Sequence, residues 1–172
     1  VLDQWISGAE PHIVQGTLVP GELYILTEVM AADGYAYEES MEFWMDERGG
    51  AVKIYMEDQP TYVEIHKTDL ATGEELPGAE LVLKNTNGVI VDQWISGKTA
   101  HVIKGRLIAG ETYTLSERIA PDGYELAEEI SFPVSLDGTI DRVVMADQKK
   151  EKRPNKPEPE ETIPEKPLES SE

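Results

Sequence analysis

The sequence predicts an all-β protein that contains small β-sandwich domains in tandem, and three observations support this fold class. The chain repeats itself at an offset of 89 residues. Short runs alternate apolar and polar residues, which is typical of strands with one buried face. Turn-forming residues separate these runs, and no long amphipathic helical pattern interrupts them.

The composition narrows the possible functions. The 172 residues allow one large or two small domains, and 40% of them are hydrophobic, which is enough for a packed core. The formal net charge of −19 argues against nucleic acid or any other partner held through phosphate contacts. Cysteine is absent, so disulfides, thiolate catalysis and cysteine metal sites are excluded. No apolar run approaches the roughly 20 residues of a membrane helix, so we expect no membrane insertion.

The internal repeat is a true duplication. The six residues at 3–8 (DQWISG) recur unchanged at 92–97. Residues 1–61 and 90–150, compared without a gap, share 24 identities. Self-similarity of this extent is the signature of consecutive copies of one structural unit.

The repeat also sets the predicted domain boundaries. Residues 62–89 have no counterpart ahead of Val1, so the first copy starts later in the cycle than the second. We therefore predict an N-terminally truncated domain at 1–61, a complete domain at 62–150 and a C-terminal segment at 151–172.

The complete copy contains a series of predicted strands and turns. Alternating runs occur at 63–65, 113–115 and 143–145. The turn signals between them are Thr72-Gly73, Asn87-Gly88, Ala109-Gly110, Pro121-Asp122-Gly123 and Asp137-Gly138. A repeat of this length with such frequent turns is typical of a two-sheet sandwich, and a small closed barrel is the alternative.

The composition changes in the last segment, at 151–172. Proline, glutamate and lysine dominate there, and apolar residues are nearly absent. Such a segment does not bury enough apolar surface to fold, so we predict an extended, disordered spacer. A ligand for a polyproline-binding domain is the alternative.

Three ionisable residues continue the apolar faces of predicted strands: Lys67, Glu117 and Asp147. Because alternate residues of a strand share a face, all three are expected to point towards the core. In the first copy, Glu28 and Asp58 occupy the positions of Glu117 and Asp147, and the matching lysine would fall upstream of Val1.

Burial of these residues has a chemical consequence. Three buried ions would leave one negative charge uncompensated, and burial instead favours a neutral lysine and a protonated carboxyl group. A neutral amine beside a protonated acid is a nucleophile facing an acyl carbon, and loss of water would join the two as an amide. Because all three residues lie near strand ends, a partly exposed salt bridge is the alternative.

Four blocks of sequence, in order, resemble a known family. They are Ile65-His66-Lys67-Thr68-Asp69, Leu76-Pro77-Gly78-Ala79, Tyr113-Thr114-Leu115-Ser116-Glu117 and Ala120-Pro121-Asp122-Gly123-Tyr124. Together they resemble CnaB-type domains, the prealbumin-like (SpaA-type) repeats of Gram-positive surface adhesins and pilins. The resemblance covers 62–150 and, as a copy without its opening strand, 1–61.

The resemblance implies a prealbumin-like (reverse-Ig) sandwich and a role for each buried residue. In this family a lysine on the first strand bonds to an Asn or Asp on the last strand, assisted by a glutamate. Carried over, Lys67 is the nucleophile, Asp147 the acyl partner and Glu117 the proton shuttle. Many members carry Asn where this chain has Asp147.

The resemblance also implies a function. We expect a structural stalk module of a bacterial surface protein, an adhesin or pilin at the cell wall, whose partners are neighbouring repeat domains of the same chain. A ligand-binding adhesin domain that recognises a host extracellular protein or glycan is the alternative. An enzyme is the third reading, but no catalytic motif is present, so we expect only self-catalysed amide formation and no cofactor.

The histidines and two of the tryptophans are not expected to form a site. His12 and His101 are repeat equivalents, one in each copy, and His66 faces away from Lys67, so no metal site is predicted. Trp5 and Trp94 lie in the duplicated block. We expect them to pack against their own domains, with an exposed binding role as the alternative.

Overall fold

All regular structure in the described part of the chain is β. A computed structural model describes residues 1–37 and 40–151, and the all-β prediction is confirmed there. Within those residues no helix is long and apolar enough to cross a membrane. The predicted spacer at 151–172 lies, from residue 152 onward, outside the described residues.

In the described residues, two short strands belong to the N-terminal part of the chain and seven to the remainder. β1 (Leu23–Leu26) pairs with β2 (Met41–Trp44) in an antiparallel two-stranded sheet. The other strands are β3 (Tyr62–Asp69), β4 (Glu80–Asn85), β5 (Ile90–Ile95), β6 (His101–Lys104), β7 (Thr112–Ile119), β8 (Ile130–Pro133) and β9 (Ile140–Asp147).

The seven strands form two sheets that enclose one core. One sheet has three strands in the order β6-β3-β9, and the other has four in the order β5-β4-β7-β8. Buried side chains of both sheets pack in a single cluster. The arrangement is therefore a two-sheet sandwich and not a closed barrel.

The first and last strands of the sandwich are parallel neighbours. β3 and β9 pair over their whole length, with Lys67 opposite Met145 and Asp69 opposite Asp147. Every other strand pair is antiparallel. Since β3 is the first strand of the domain and β9 is the last, this parallel pair places the first and last strands side by side in one sheet.

The core follows from strand alternation. Its buried apolar side chains come from both sheets and from the loops between them: Val63, Ile65, Ala79, Leu81, Leu83, Ile103, Leu107, Tyr113, Leu115, Phe132, Val134, Val143 and Met145. Burial of this apolar surface is the main favourable term in folding. The inward phase expected for β3, β7 and β9 matches the observed burial.

The first copy differs from the second in the segment at 54–58. These residues have the alternating burial of a strand, yet within the described part of the chain they belong to no sheet. In the second copy the equivalent strand, β9, pairs with β3. Among the described residues, no strand pairs with 54–58.

Candidate functional site

Three strands bring Lys67, Glu117 and Asp147 together. Lys67 lies near the end of β3, Asp147 is the last residue of β9, and Glu117 lies on β7 in the opposite sheet. Asp147 is two residues beyond Met145, the register partner of Lys67, so both side chains emerge on the same face. The long lysine side chain spans this offset.

The three side chains make direct contact inside the sandwich. Nζ of Lys67 contacts Oδ1 of Asp147 and lies 3.1 Å from Oε1 of Glu117. The exposed fractions are 2% for Lys67, 6% for Glu117 and 1% for Asp147. These values are too small for the partly exposed salt bridge that the sequence left as an alternative.

The hydrogen bonding of the two acids is incomplete. Oε2 of Glu117 accepts a hydrogen bond of 2.8 Å from the amide of Ala127. Lys67 Nζ forms an ion pair with Oε1 of Glu117, but among the described residues neither this oxygen nor Oδ2 of Asp147 accepts a hydrogen bond. A buried acceptor without a donor is destabilising, and a proton held on one of the acids would supply a donor.

The surroundings of Asp147 raise the pKa of its carboxyl group. Burial raises the pKa of Asp147, because the charged carboxylate loses its hydration. The hydrogen bond and the charge of Lys67 oppose this effect, and the neighbouring Glu117 raises the pKa further. The net direction of the Asp147 pKa shift is upward, because the loss of hydration outweighs the effect of Lys67.

A second cluster, not predicted from the sequence, supports the ends of β3 and β9. The Tyr124 hydroxyl donates a hydrogen bond of 2.6 Å to Oδ2 of Asp69, and Nζ of Lys149 lies 3.1 Å from the same oxygen. Oδ1 of Asp69 accepts from the amide of Ala71 at 2.8 Å. Asp69 and Lys149 each follow a residue of the buried cluster by two positions, so these bonds hold both strand ends in place.

The amide of Leu70 adds a main-chain bond at the same end of the sheet. It donates to the carbonyl oxygen of Asp147 at 2.9 Å. The Asp69–Tyr124 pair joins residues 55 positions apart, which explains why no local pattern reveals it. The only signal in the sequence is that both residues fall inside the blocks that resemble the family.

The histidines make local contacts. Trp94 and His101 are stacked with ring centroids 4.1 Å apart, and His101 Nε2 lies 3.0 Å from Oδ2 of Asp92. His66 Nδ1 lies 2.6 Å from Oε1 of Glu75. The stacked arrangement recurs in the first copy, in Trp5, His12 and Asp3. No cluster of metal-ligating residues occurs in the described part of the chain.

The equivalents in the first copy lie in a different environment. Glu28 and Asp58 are half-buried, whereas Glu117 and Asp147 are buried. Glu28 lies beyond the end of β1, and Asp58 lies outside any strand. The first copy therefore does not reproduce the buried arrangement of the second.

The fold and the cluster together define a class of β-sandwich domain in which a buried lysine on the first strand meets an acid on the last strand. The family model of the SpaA prealbumin-like fold domain matches residues 61–149, which is more than half of the chain. The chain therefore belongs to this family, and its sandwich is a prealbumin-like fold.

Several solved structures resemble the chain. The Bacillus anthracis TIE protein is 28% identical over 74% of this chain and 25% of that protein, with a TM-score of 0.49. The shaft pilin SpaA from Lactobacillus rhamnosus GG is 17% identical over 77% of this chain and 64% of the pilin, with a TM-score of 0.46. The group B streptococcus pilus 2b backbone protein is 19% identical over 64% of this chain and 44% of that protein, with a TM-score of 0.46.

This chain spans between 25% and 64% of the length of those three proteins. No curated protein matches it.

Proposed function

We propose that the chain is a structural module of a bacterial surface shaft, a pilin or adhesin stalk, whose 62–150 domain is locked by an amide bond between Lys67 and Asp147. The observation that carries the proposal is the burial of Lys67, on β3, against Asp147 on the neighbouring strand β9 and Glu117 on the opposite sheet. Membership of the SpaA prealbumin-like family is consistent with this role.

The chemistry proceeds within the cluster. The neutral amine of Lys67 attacks Cγ of the protonated Asp147 carboxyl group, forming the C–N bond. Glu117 takes a proton from Nζ and delivers it to the departing hydroxyl, which leaves as water. The product is a neutral amide, so both partners lose their charge. Burial raises the pKa of Asp147, and this direction favours the protonated acid that the step requires.

The bond would suit a module that carries tension. In a parallel pair, the start of β3 and the end of β9 lie at opposite ends of the sheet, so force on the two termini pulls these strands past each other. A bond from Lys67 to Asp147 would pass that force through residues 62–67 and directly into Asp147. The 80-residue interval that the bond closes would carry no load. Extension would then require a covalent bond to break.

The proposal places the module outside the cell, in an array on a bacterial surface. Its partners in that setting are the neighbouring repeats of the same chain. The net charge of −19 keeps such a surface solvated and opposes non-specific association with other acidic surfaces.

Intact mass spectrometry of the folded chain tests the proposal. We expect a mass one water molecule below that of the sequence, and a branched peptide that contains Lys67 and Asp147 after digestion. Lys67→Arg should restore the full mass, because the guanidinium stays protonated. A wild-type chain of full mass would exclude the bond.

A further inference from the structure

The N-terminal repeat is in direct contact with the sandwich that follows it. The amide of Tyr37 donates a hydrogen bond of 2.8 Å to the carbonyl oxygen of Leu136. The amide of Gly105 donates to the carbonyl oxygen of Thr61 at 2.9 Å, and the Thr61 hydroxyl donates to the carbonyl oxygen of Leu107 at 2.7 Å. Thr61 is 2% exposed, so these bonds are shielded from water.

The approach of the two parts is closest at Gly34. Its φ of +84° is one that residues with a side chain rarely adopt. A Cβ at this position would also lie 2.7 Å from the carbonyl carbon of Gly105 and 3.3 Å from the amide nitrogen of Arg106. Both atoms belong to the backbone of the following domain, so a side chain here would push the two parts of the chain apart.

Ala36 completes the contact. It is 1% exposed and faces Gly138, where a Cβ would lie 3.2 Å from the Ala36 Cβ. A larger residue at either position would open the interface.

Gly123 is the repeat equivalent of Gly34. Comparing the two glycines separates the requirement for a positive φ from the requirement for space next to another domain. Its φ is +85°, and the amide of Lys150 donates to its carbonyl oxygen at 2.9 Å, as Thr61 does to Gly34. A Cβ at Gly123, however, would have no described atom within 4 Å. The local turn therefore has the same form in both copies, and among the described residues only the first is covered by another domain.

The neighbouring bonds support this equivalence. The amide of Ala36 donates to the carbonyl oxygen of Gln59 at 2.8 Å, and the amide of Glu125 donates to that of Gln148 at 2.9 Å. In the second copy, Glu125 and Gln148 line an open cleft with Lys150 among the described residues. The close contact at Gly34 is thus a property of the interface and not of the turn.

We propose that residues 34–37 and 59–61 form a rigid joint that docks the N-terminal repeat onto the 62–150 repeat, with Gly34 as the residue that permits the close approach. The partner of this surface is the base of the next repeat, at 105–107 and 136–138. The joint is formed by main-chain groups and small residues, so it does not depend on particular side chains of the next repeat. It would transmit bending between repeats and does not depend on the Lys67–Asp147 bond.

Amide hydrogen exchange on the full chain tests the joint with a matched pair of variants. Gly34→Ala and Gly123→Ala introduce the same side chain at nearly the same φ, but only the first meets the neighbouring domain. We expect Gly34→Ala to speed exchange of the Tyr37 and Thr61 amides by at least about tenfold. Gly123→Ala should leave both amides unchanged and affect only its own turn. The proposal would be overturned if the two variants changed the exchange of the Tyr37 and Thr61 amides equally, or if Gly34→Ala did not change it.

A second measurement covers the case in which Gly34→Ala does not fold. Nuclear spin relaxation of the wild-type chain should give one rotational correlation time for β1, β2 and the seven strands of the sandwich. A shorter time for β1 and β2 would mean that the N-terminal repeat moves independently, and the joint would be excluded. The same experiment on Glu117→Ala, with its mass recorded, separates failure of the joint from failure of the amide bond.

Discussion

Nζ of Lys67, on β3, lies 3.1 Å from Oε1 of Glu117, on β7 of the opposite sheet. The same nitrogen contacts Oδ1 of Asp147 on β9. One lysine thus connects the first strand, the last strand and the facing sheet of the domain. All three groups are buried, so their protonation and any bond between them affect the stability of the whole sandwich.

Removal of the proposed proton shuttle should leave the chain at full mass. Glu117→Ala eliminates the group that moves the proton from Nζ to the leaving oxygen, so we expect no loss of water. Without the crosslink, the free energy of unfolding should fall by about 4–5 kcal/mol, the value for closing a loop of this length, measured by urea denaturation. The exposed Glu128→Ala is the control and should keep the water deficit. A Glu117→Ala chain that still lacks one water would exclude the shuttle role.

Asp147→Asn should reach the same product by a different route. The amine would displace ammonia from the side-chain amide, whereas it displaces water from the acid. The two starting chains differ in mass, yet their crosslinked products are identical. Mass spectra of the mature proteins should therefore coincide, and Asp147→Ala should keep its full mass. An Asn variant that retains its amide nitrogen would contradict the mechanism.

Lys67→Met should make stability depend on the protonation of Asp147. The substitution prevents the bond and removes the group that opposes the rise in the Asp147 pKa. A pKa raised in the folded state means that the folded protein binds the proton more tightly than the unfolded one. The resulting stability is present below the ordinary carboxyl pKa of about 4 and is lost as pH rises through the folded value.

Thermal unfolding across this pH range provides the measurement. The double variant Lys67→Met, Asp147→Ala is the control, since it lacks the titrating carboxyl group. If both variants lose stability equally between acidic and neutral pH, Asp147 is not the source of the dependence.

The stability that the Tyr124–Asp69 hydrogen bond contributes should have the opposite pH dependence. The Tyr124 hydroxyl, and next Lys149, hold the pKa of Asp69 well below its usual range. The stability from this depressed pKa is present above the ordinary value and is lost as pH falls through the folded one. Tyr124→Phe should therefore lower the melting temperature at neutral pH more than in acid. Tyr35→Phe, at the exposed repeat equivalent, should have little effect, and similar losses in both variants would contradict this assignment.

The directions of the buried residues could be predicted because alternation is a local property of a strand. Val63, Ile65 and Lys67 share a face whatever the rest of the chain does, and the structure buries all three. The same reasoning succeeded at Glu117 and Asp147. At 54–58 the burial alternates in the same way, but these residues lie in no strand of the described chain.

Solvent exposure near strand ends was the less predictable quantity. A lysine near the end of a strand can reach water in many folds, so the sequence left a partly exposed salt bridge open. In this sandwich Glu117 approaches Lys67 from the opposite sheet, and the 2% exposure of Lys67 results from that packing. The Ala127 amide that binds Glu117 comes from a loop, and no residue type identifies it in advance.

The sequence by itself determined the all-β class, the repeat of 89 residues and the face on which each ionisable side chain lies. These properties depend on neighbours a few positions away, where the two-residue period of a strand operates. Only the tertiary structure decided that β3 and β9 are parallel neighbours, that Lys67 meets an acid 80 residues away, and that Gly34 packs on Gly105. These relationships join distant parts of the chain, and they arise because burial of the shared core brings those parts into contact.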